Sequence, residues 1–587
     1  MMVSVQQRVS LQASLLLACS LLWALGGCRP DLEIQLPPTG AMLVGDAPVE
    51  VVVNGVAGAA QVEGLDNDPG ELVEADDEGR VSRFVPAHDG LGFVTVVTEG
   101  SPRAYAVRSW HQGEFLDPAE LQRDVATGRL DQPLLDSVTA LVGQSLAQSN
   151  LARYAVNPVV LDTPVGDLLL NIRDAGAENV HIDVQVDAAG LVRLTARLTG
   201  VQIWYQAEQA SLNWAIDYGT AADPIYGVGS FDWVEIAGFI NLPSLLCDPD
   251  PTLPCEAGSF LNEVVVTHSE AAVDDPNCEL LWGLLDLCGV VSSSLEEQLP
   301  GPLAAVAEAA AAHVLKHLVQ SLDPVLDVQF ERPIQRQLSL TGVRAEDHSV
   351  VLEYSGFIGA VTPEVAASDQ GVLKRPMTSP GGSGICVGRP AINALSFAAW
   401  DAGNLRNIEF DNGQLVSFGL PAQVPWTDIR KATIEALLPP VLEYREDSAW
   451  LDLGGIRAVV DAGTWGEAVL FAAGQMPVRV AANDQGGLTL VLNLADDGSR
   501  QTRVLGVGFD EAHPLLDRGM ALEIIEAVVP GLMSQVLRDL ANLTIPEIVI
   551  PPLEGSGAVD LTGQVMMASE AVRIVEDAWC VPTTLEF

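Results

Sequence analysis

From Val180 to Thr199 the chain alternates apolar and polar residues over two runs. Val180, Ile182, Val184 and Val186 interleave with His181, Asp183, Gln185 and Asp187. Val192, Leu194, Ala196 and Leu198 then interleave with Arg193, Thr195, Arg197 and Thr199. Successive side chains of a strand point to opposite faces, so this pattern predicts strands with one wet face and one apolar face. Leu488, Leu490, Leu492 and Leu494, alternating with Thr489, Val491 and Asn493, predict another such strand. Further strands are expected across roughly 201–270 and near Val325, Leu338 and Val350.

Between Asp31 and about Trp110, short apolar runs are separated by turn residues. Val49, Val51 and Val53 lead into Asn54-Gly55, and Phe93, Val94, Val96 and Val97 follow Asp89-Gly90. This spacing predicts a small β-sandwich, similar in patterning to bacterial immunoglobulin-like surface modules. Pro118 to Pro133 reads as a polar connection. After it, Leu134, Leu135, Val138, Leu141, Val142 and Leu146 recur at helical spacing. A second helical stretch is expected from about Leu280 to Leu322, interrupted at Pro300-Gly301-Pro302, with Leu303, Val306, Ala310, Val314 and Leu318 along or near one stripe. A third, Pro390 to Ala402, stops at Gly403, a residue suited to ending a helix. A fourth is expected at Asp428–Leu438 and a last at about Arg518–Leu543. The order helix, strands, helix therefore occurs twice, in parts of comparable length.

The first 27 residues are organised differently. One charge, Arg8, precedes an apolar run from Leu11 to Leu25, and Gly26-Gly27-Cys28 follows. This pattern describes an export signal. Leu25-Gly26-Gly27-Cys28 resembles the lipobox of bacterial lipoproteins, which implies cleavage before Cys28 and acylation of its thiol and amine. Each buried methylene contributes about 0.8 kcal/mol, so several acyl chains hold a protein durably at a membrane. Arg29 stands where an aspartate would signal retention at the inner membrane of enteric bacteria, which points to the outer membrane in a two-membrane cell. No other apolar run approaches the roughly 20 residues of a spanning helix.

Charge narrows the partners. The chain carries 30 Lys and Arg against 78 Asp and Glu, a formal charge of −48. Such a surface repels nucleic acid and anionic headgroups. With 48% hydrophobic residues, the acidity describes a solvated skin over large cores rather than a disordered chain. Of the eight cysteines, Cys19 leaves with the signal and Cys28 is the anchor. Cys247, Cys255, Cys278, Cys288, Cys386 and Cys580 remain, an even set that points to disulfides in an exported chain. Many pairings are possible. Proximity suggests Cys247 with Cys255 and Cys278 with Cys288, leaving Cys386 to reach Cys580. The spacings match no zinc knuckle.

Two segments carry a wider resemblance. Leu284 to Leu318 reads LLDLCGVVSSSLEEQLPGPLAAVAEAAAAHVLKHL, and Arg389 to Phe410 reads RPAINALSFAAWDAGNLRNIEF. Together with the doubled helix-and-sheet order, they resemble the tubular lipid-binding superfamily, typified by bactericidal/permeability-increasing protein and the plasma lipid-transfer proteins. The first is similar to the helix closing that family's N-terminal unit. The second is similar to the helix opening its C-terminal unit, with Asn393, Leu395 (displaced by one) and Ala402-Gly403 at the matching positions. The resemblance spans about Leu134 to Phe587. It implies an α+β, mostly β fold: a small N-terminal β-sandwich followed by two tandem helix-wrapped antiparallel barrel-like units in a boomerang. The domains expected are 1–27 signal, 28–112 sandwich, 118–345 first unit and 346–587 second unit. The implied partners are the membrane, through the lipid anchor, and a hydrophobic lipid held by its acyl chains. The acidic chain departs from the basic tip of the endotoxin-binding members. A surface scaffold or adhesion protein with filled cores is the alternative reading.

Catalytic signatures are weak. Gly381-Gly382-Ser383-Gly384-Ile385 falls one residue short of Gly-x-Ser-x-Gly, and Gly506-Val507-Gly508 lacks the third glycine of a dinucleotide loop. His313 and His317 share a helical face, but Val314, Leu315 and Lys316 supply no glutamate between them. Asp66, Asp68, Glu71, Glu74, Asp76, Asp77 and Glu78 crowd one stretch without calcium-loop spacing, so they read as solvated charge. No enzyme, cofactor or metal is expected.

Overall fold

The computed structural model describes residues between Leu32 and Glu586, apart from short loops and the longer stretches 210–224, 248–257, 362–371, 374–383, 418–428, 493–502, 510–521, 530–541 and 551–560. The fold is mostly β. The described residues form three major apolar cores.

The N-terminal core lies between a three-stranded and a five-stranded sheet. The smaller sheet orders Glu33–Leu36, Val49–Asn54 and Val81–Val85. The larger contains Met42–Val44, Ala59–Gly64, Glu71–Glu74, Gly90–Thr98 and Tyr105–Gly113. Val51, Val53, Val62, Val94, Val96 and Trp110 fill the space between them. Gly55, at φ 77°, makes the turn after Asn54 in a region that favours glycine. Gly92 lies opposite Trp110 across the antiparallel pair, and its missing side chain makes room for the indole. A Cβ there would overlap the ring. Gly92→Ala is expected to cost about 2 kcal/mol by overpacking. Faster hydrogen exchange at Val94 and Val96 would report it; unchanged exchange would refute the interlock.

The first core joins a seven-stranded antiparallel sheet to two helices, α1 (Gln132–Ala147) and α2 (Pro300–Ser321). The strands Asn179–Val186 and Val192–Gln209 pair in register from Asn179↔Thr199 to Val186↔Val192. Their odd and even residues divide as the alternation predicts, with Val180, Ile182, Val184, Leu194 and Ala196 in the core. Gly143 lets α1 approach the Val180 carbonyl closely. Polar side chains of α2 tie it to the sheet: Glu308 accepts the Leu261 N–H at 2.9 Å, and Gln320 donates to the Cys247 carbonyl at 3.1 Å.

A six-stranded sheet bridges to the second core, in the order Ile334–Glu346, Ser349–Ala360, Gln122–Asp131, Gly384–Gly388, Ala578–Val581, Arg573–Val575. Different parts of it serve different cores. Ala126 and Leu352 belong to the first, whereas Val125 and Ile358 belong to the second. The second core is completed by a nine-stranded sheet around α3 (Arg389–Asp401).

Three local expectations are corrected. The stretch Pro118–Pro133, expected as a polar connection, contains the bridging strand Gln122–Asp131, whose backbone bonds are satisfied by a neighbour on each side. Asp428–Leu438, expected as a helix, contains the strand Lys431–Ala436; Ala432 and Ile434 point inward while Lys431 is exposed. Within the stretch expected as helix from about Leu280, Ser292, Ser293, Glu296 and Glu297 are helical and α2 starts afresh at Pro300, whereas Glu279–Leu280 pairs with Leu285–Asp286 as a short ladder. Proline suits a first turn because that N–H has no helical partner to lose.

The N-terminal module packs its five-stranded sheet against the second core. Leu91 and Ser109 meet Gly454, while Phe93 and Val107 cluster with Ala473 and Leu505. His111 continues the Val107–Ser109 face, opposite Trp110, and is 0% exposed. Burial lowers its pKa to about 4, and neither ring nitrogen has a hydrogen-bond partner.

Candidate ligand-binding interior

Helix α3 defines the second interior because every one of its residues is buried. An amphipathic surface helix needs one apolar stripe; a helix enclosed on all sides must satisfy its polar groups locally. Ala391, Ala394, Ala398 and Ala399 let surrounding chains approach closely, while Ile392, Leu395 and Phe397 fill the space between. Pro390 occupies the first turn. At the other end, the Asn404 N–H donates to the Ala399 carbonyl and the Gly403 N–H to the Trp400 carbonyl, both at 2.9 Å. Gly403 sits at φ 82°, so these bonds close the helix in a Schellman arrangement that favours glycine.

Asn393, Trp400 and Arg389 of α3 act as fasteners. Asn393 accepts the Leu442 N–H at 2.7 Å and donates back to the Leu442 carbonyl at 3.4 Å. Trp400 Nε1 donates to the Ala436 carbonyl at 2.7 Å. Arg389 pairs with Glu443 at 3.1 Å, with side-chain exposures of 7% and 14%. An ion pair this dry is stable when both members are present and costly when one is removed. These contacts fix the helix inside the sheet while leaving its surroundings overwhelmingly apolar. The first interior is built likewise from Ala311, Val314, Leu315 and Leu318 of α2 facing Leu194, Ile236 and Tyr354 within one continuous cluster. Such apolar surfaces suit acyl chains.

The sequence-predicted positions divide as follows. Cys386 is disulfide-bonded to Cys580, and the two are directly opposite in the bridging sheet. Cys247 is also disulfide-bonded. Cys28, Cys255, Cys278 and Cys288 lie outside the described residues. The His313 and His317 rings are 4.2 Å apart, and His317 Nδ1 donates to the His313 carbonyl, a helical contact rather than a ligand set. Among the described residues, no group of three or more His, Cys, Asp and Glu is placed to hold a metal. Asp76 turns its carboxylate onto the N–H groups of Glu78 and Arg80 in an exposed loop, while Asp66 and Asp68 lie outside the described residues. Gly506-Val507-Gly508 lies within the strand Arg503–Phe509. Gly384-Ile385 opens a strand, and 381–383 are outside the described residues. No described helix is long and apolar enough to cross a membrane. Sequence reasoning singled out Asn393 by resemblance but missed Arg389, Glu443 and His111, because a buried charge and an exposed one look alike in a sequence.

These features define a mostly β protein in which antiparallel sheets pack on helices and one helix, α3, is wholly buried. No protein-family model matches the chain, and no curated protein matches it. Among solved structures, it is similar to lipopolysaccharide binding protein, with a TM-score of 0.39 and 11% identity over 79% of this chain and 99% of that one. It is also similar to P47 of Clostridium botulinum E1, with a TM-score of 0.22 and 8% identity over 80% of this chain and 100% of that one. P47 from Clostridium botulinum A2 gives a TM-score of 0.27 and 9% identity over 79% of this chain and 98% of that one.

Proposed function

We propose that the protein is a non-enzymatic lipoprotein, acylated on Cys28 and held at the outer membrane of the cell envelope, that binds lipid through its acyl chains. In this reading the N-terminal sheets form an immunoglobulin-like sandwich, and the two helix-bearing cores are tandem tubular units in a boomerang. The observation that carries it is α3, buried on every side by antiparallel sheets. A sheet curled around an apolar helix surrounds it with seams of the same chemistry as an acyl chain. The acidic surface directs recognition away from anionic headgroups and toward the hydrocarbon. The lipobox supplies the address at which such a ligand is abundant.

The test is chemical. Soluble protein exported without acylation, with Cys28 replaced, is expected to carry extractable phospholipid or fatty acid in mass spectrometry. After delipidation it should take up a fluorescent fatty acid. Lipid-free protein that also refuses the probe would overturn lipid binding and favour the scaffold with filled cores.

A further inference from the structure

The exposed face of the three-stranded sheet places its apolar residues beside the anchored end of the chain. Val51 and Val53 point into the N-terminal core, so Glu50 and Val52 belong to the opposite face. Phe84 lies opposite Glu50 in register, and Leu36 lies opposite Val52. Phe84 is 64% exposed and Leu36 is 39% exposed, above a fully buried Val52. The other broad side of the module is occupied, since Leu91, Val107 and Ser109 face the second core. The Phe84 face is therefore the side turned away from the bulk of the protein.

The tether restricts what can cover it. Four residue steps separate Cys28 from Leu32, whose side chain already packs on the module core. Extended chain spans at most about 3.6 Å per step, so an anchor at Cys28 keeps Leu32 within about 14 Å of the lipid. The next residues, Glu33–Leu36, are an edge strand of this same sheet. The strand Gly90–Thr98 gives the module a length of about 26 Å at roughly 3.3 Å per residue. A stance on the far end would lift Leu32 beyond the tether's reach. A stance on the near end would press the exposed Asp76, Asp77 and Glu78 against headgroups. From this geometry we infer that the module lies with the Phe84 face on the lipid surface, Phe84 and Leu36 entering the headgroup region, and the two larger cores turned outward. The inference rests on acylation of Cys28.

The experiment uses the full lipidated chain on phosphatidylcholine vesicles. Cysteines introduced as Phe84→Cys, Asp77→Cys and Asp46→Cys, all at exposed positions, are labelled with an environment-sensitive fluorophore under non-reducing conditions. The label at 84 is expected to brighten several-fold on membranes and to be quenched by lipids carrying headgroup-level quenchers. Labels at 77 and 46 should change little. Brightening at 77 without change at 84 would show an end-on stance and overturn the face-on one. Equal response at all sites, or none, would overturn it too. Mass spectrometry of the same sample distinguishes the failures: an unacylated Cys28 removes the anchor and the stance together, whereas an acylated chain with a silent position 84 removes the stance alone.

Discussion

Replacing Cys386 and Cys580 together with alanine is expected to lower the stability of the second core by about 4 kcal/mol. The two cysteines are 194 positions apart, and the loop they close contains nearly all of that core. A cross-link over so long a loop removes much of the freedom of the unfolded chain; the chain-entropy model gives about 5 kcal/mol as an upper figure. The bond also joins Gly384–Gly388 to Ala578–Val581, strands that must pair over the same distance to complete the bridging sheet. Its loss should be felt first at the sheet's C-terminal edge. Hydrogen exchange under non-reducing conditions would show Ala578–Val581 and Arg573–Val575 opening earlier than the seven-stranded sheet. The region contributes Trp579 and Val581 to the second core, so loosening should spread to α3. Identical exchange and denaturant midpoints in both proteins would refute this role.

The long paired strands were legible because one face of the sheet is wet. Val180 and His181, or Leu194 and Thr195, alternate because their environments alternate. The strand Gln122–Asp131 has no such contrast. Val125 faces one core and Ala126 the other, while Thr127 is buried too. With Gly128 and Arg129 following, the segment reads as polar although it occupies the middle of a sheet. Lys431–Ala436 failed for another reason: Ile429, Ala432 and Ala436 stand at helical intervals, and the competing alternation lasts only six residues. Helix α3 was legible from its proline start, apolar body and glycine stop. Its enclosure was not, because apolar residues on all sides can equally belong to a helix packed between separate layers. The docked face of the N-terminal module was hidden similarly. Gly90–Thr98 is buried on both faces, and its sequence does not say whether the second face meets the same module or another.

That docked face should make the protein acid-sensitive through His111. Its imidazole is wholly buried, and desolvation holds its pKa at about 4 instead of 6.5. Its neighbours on the adjoining strands are apolar and favour the neutral ring. Leu91 lies opposite it on one neighbouring strand and Met42 on the other. Across the interface, the face of Ser448–Asp461 that presents Gly454 also bears buried Asp452, and Gln475 pairs with Asp452 in register. Above pH 6.5 the histidine is neutral whether folded or unfolded and imposes no pH dependence. Between 6.5 and 4 the unfolded chain takes up a proton that the folded chain refuses, so stability falls with pH. A difference of about 2.5 units corresponds to about 3 kcal/mol over that window. Carboxylates also titrate there, so the comparison needs His111→Leu, which keeps an apolar side chain of similar size. Unfolding measured across the window should show the wild-type protein losing about 3 kcal/mol more than the variant. Hydrogen exchange should locate the loss where Tyr105–Gly113 meets the second core. Parallel pH profiles for the two proteins would mean that the ring finds a proton acceptor or water as it charges. A steeper decline in the wild type would instead make this interface a joint that loosens in acid while the anchor continues to hold the chain.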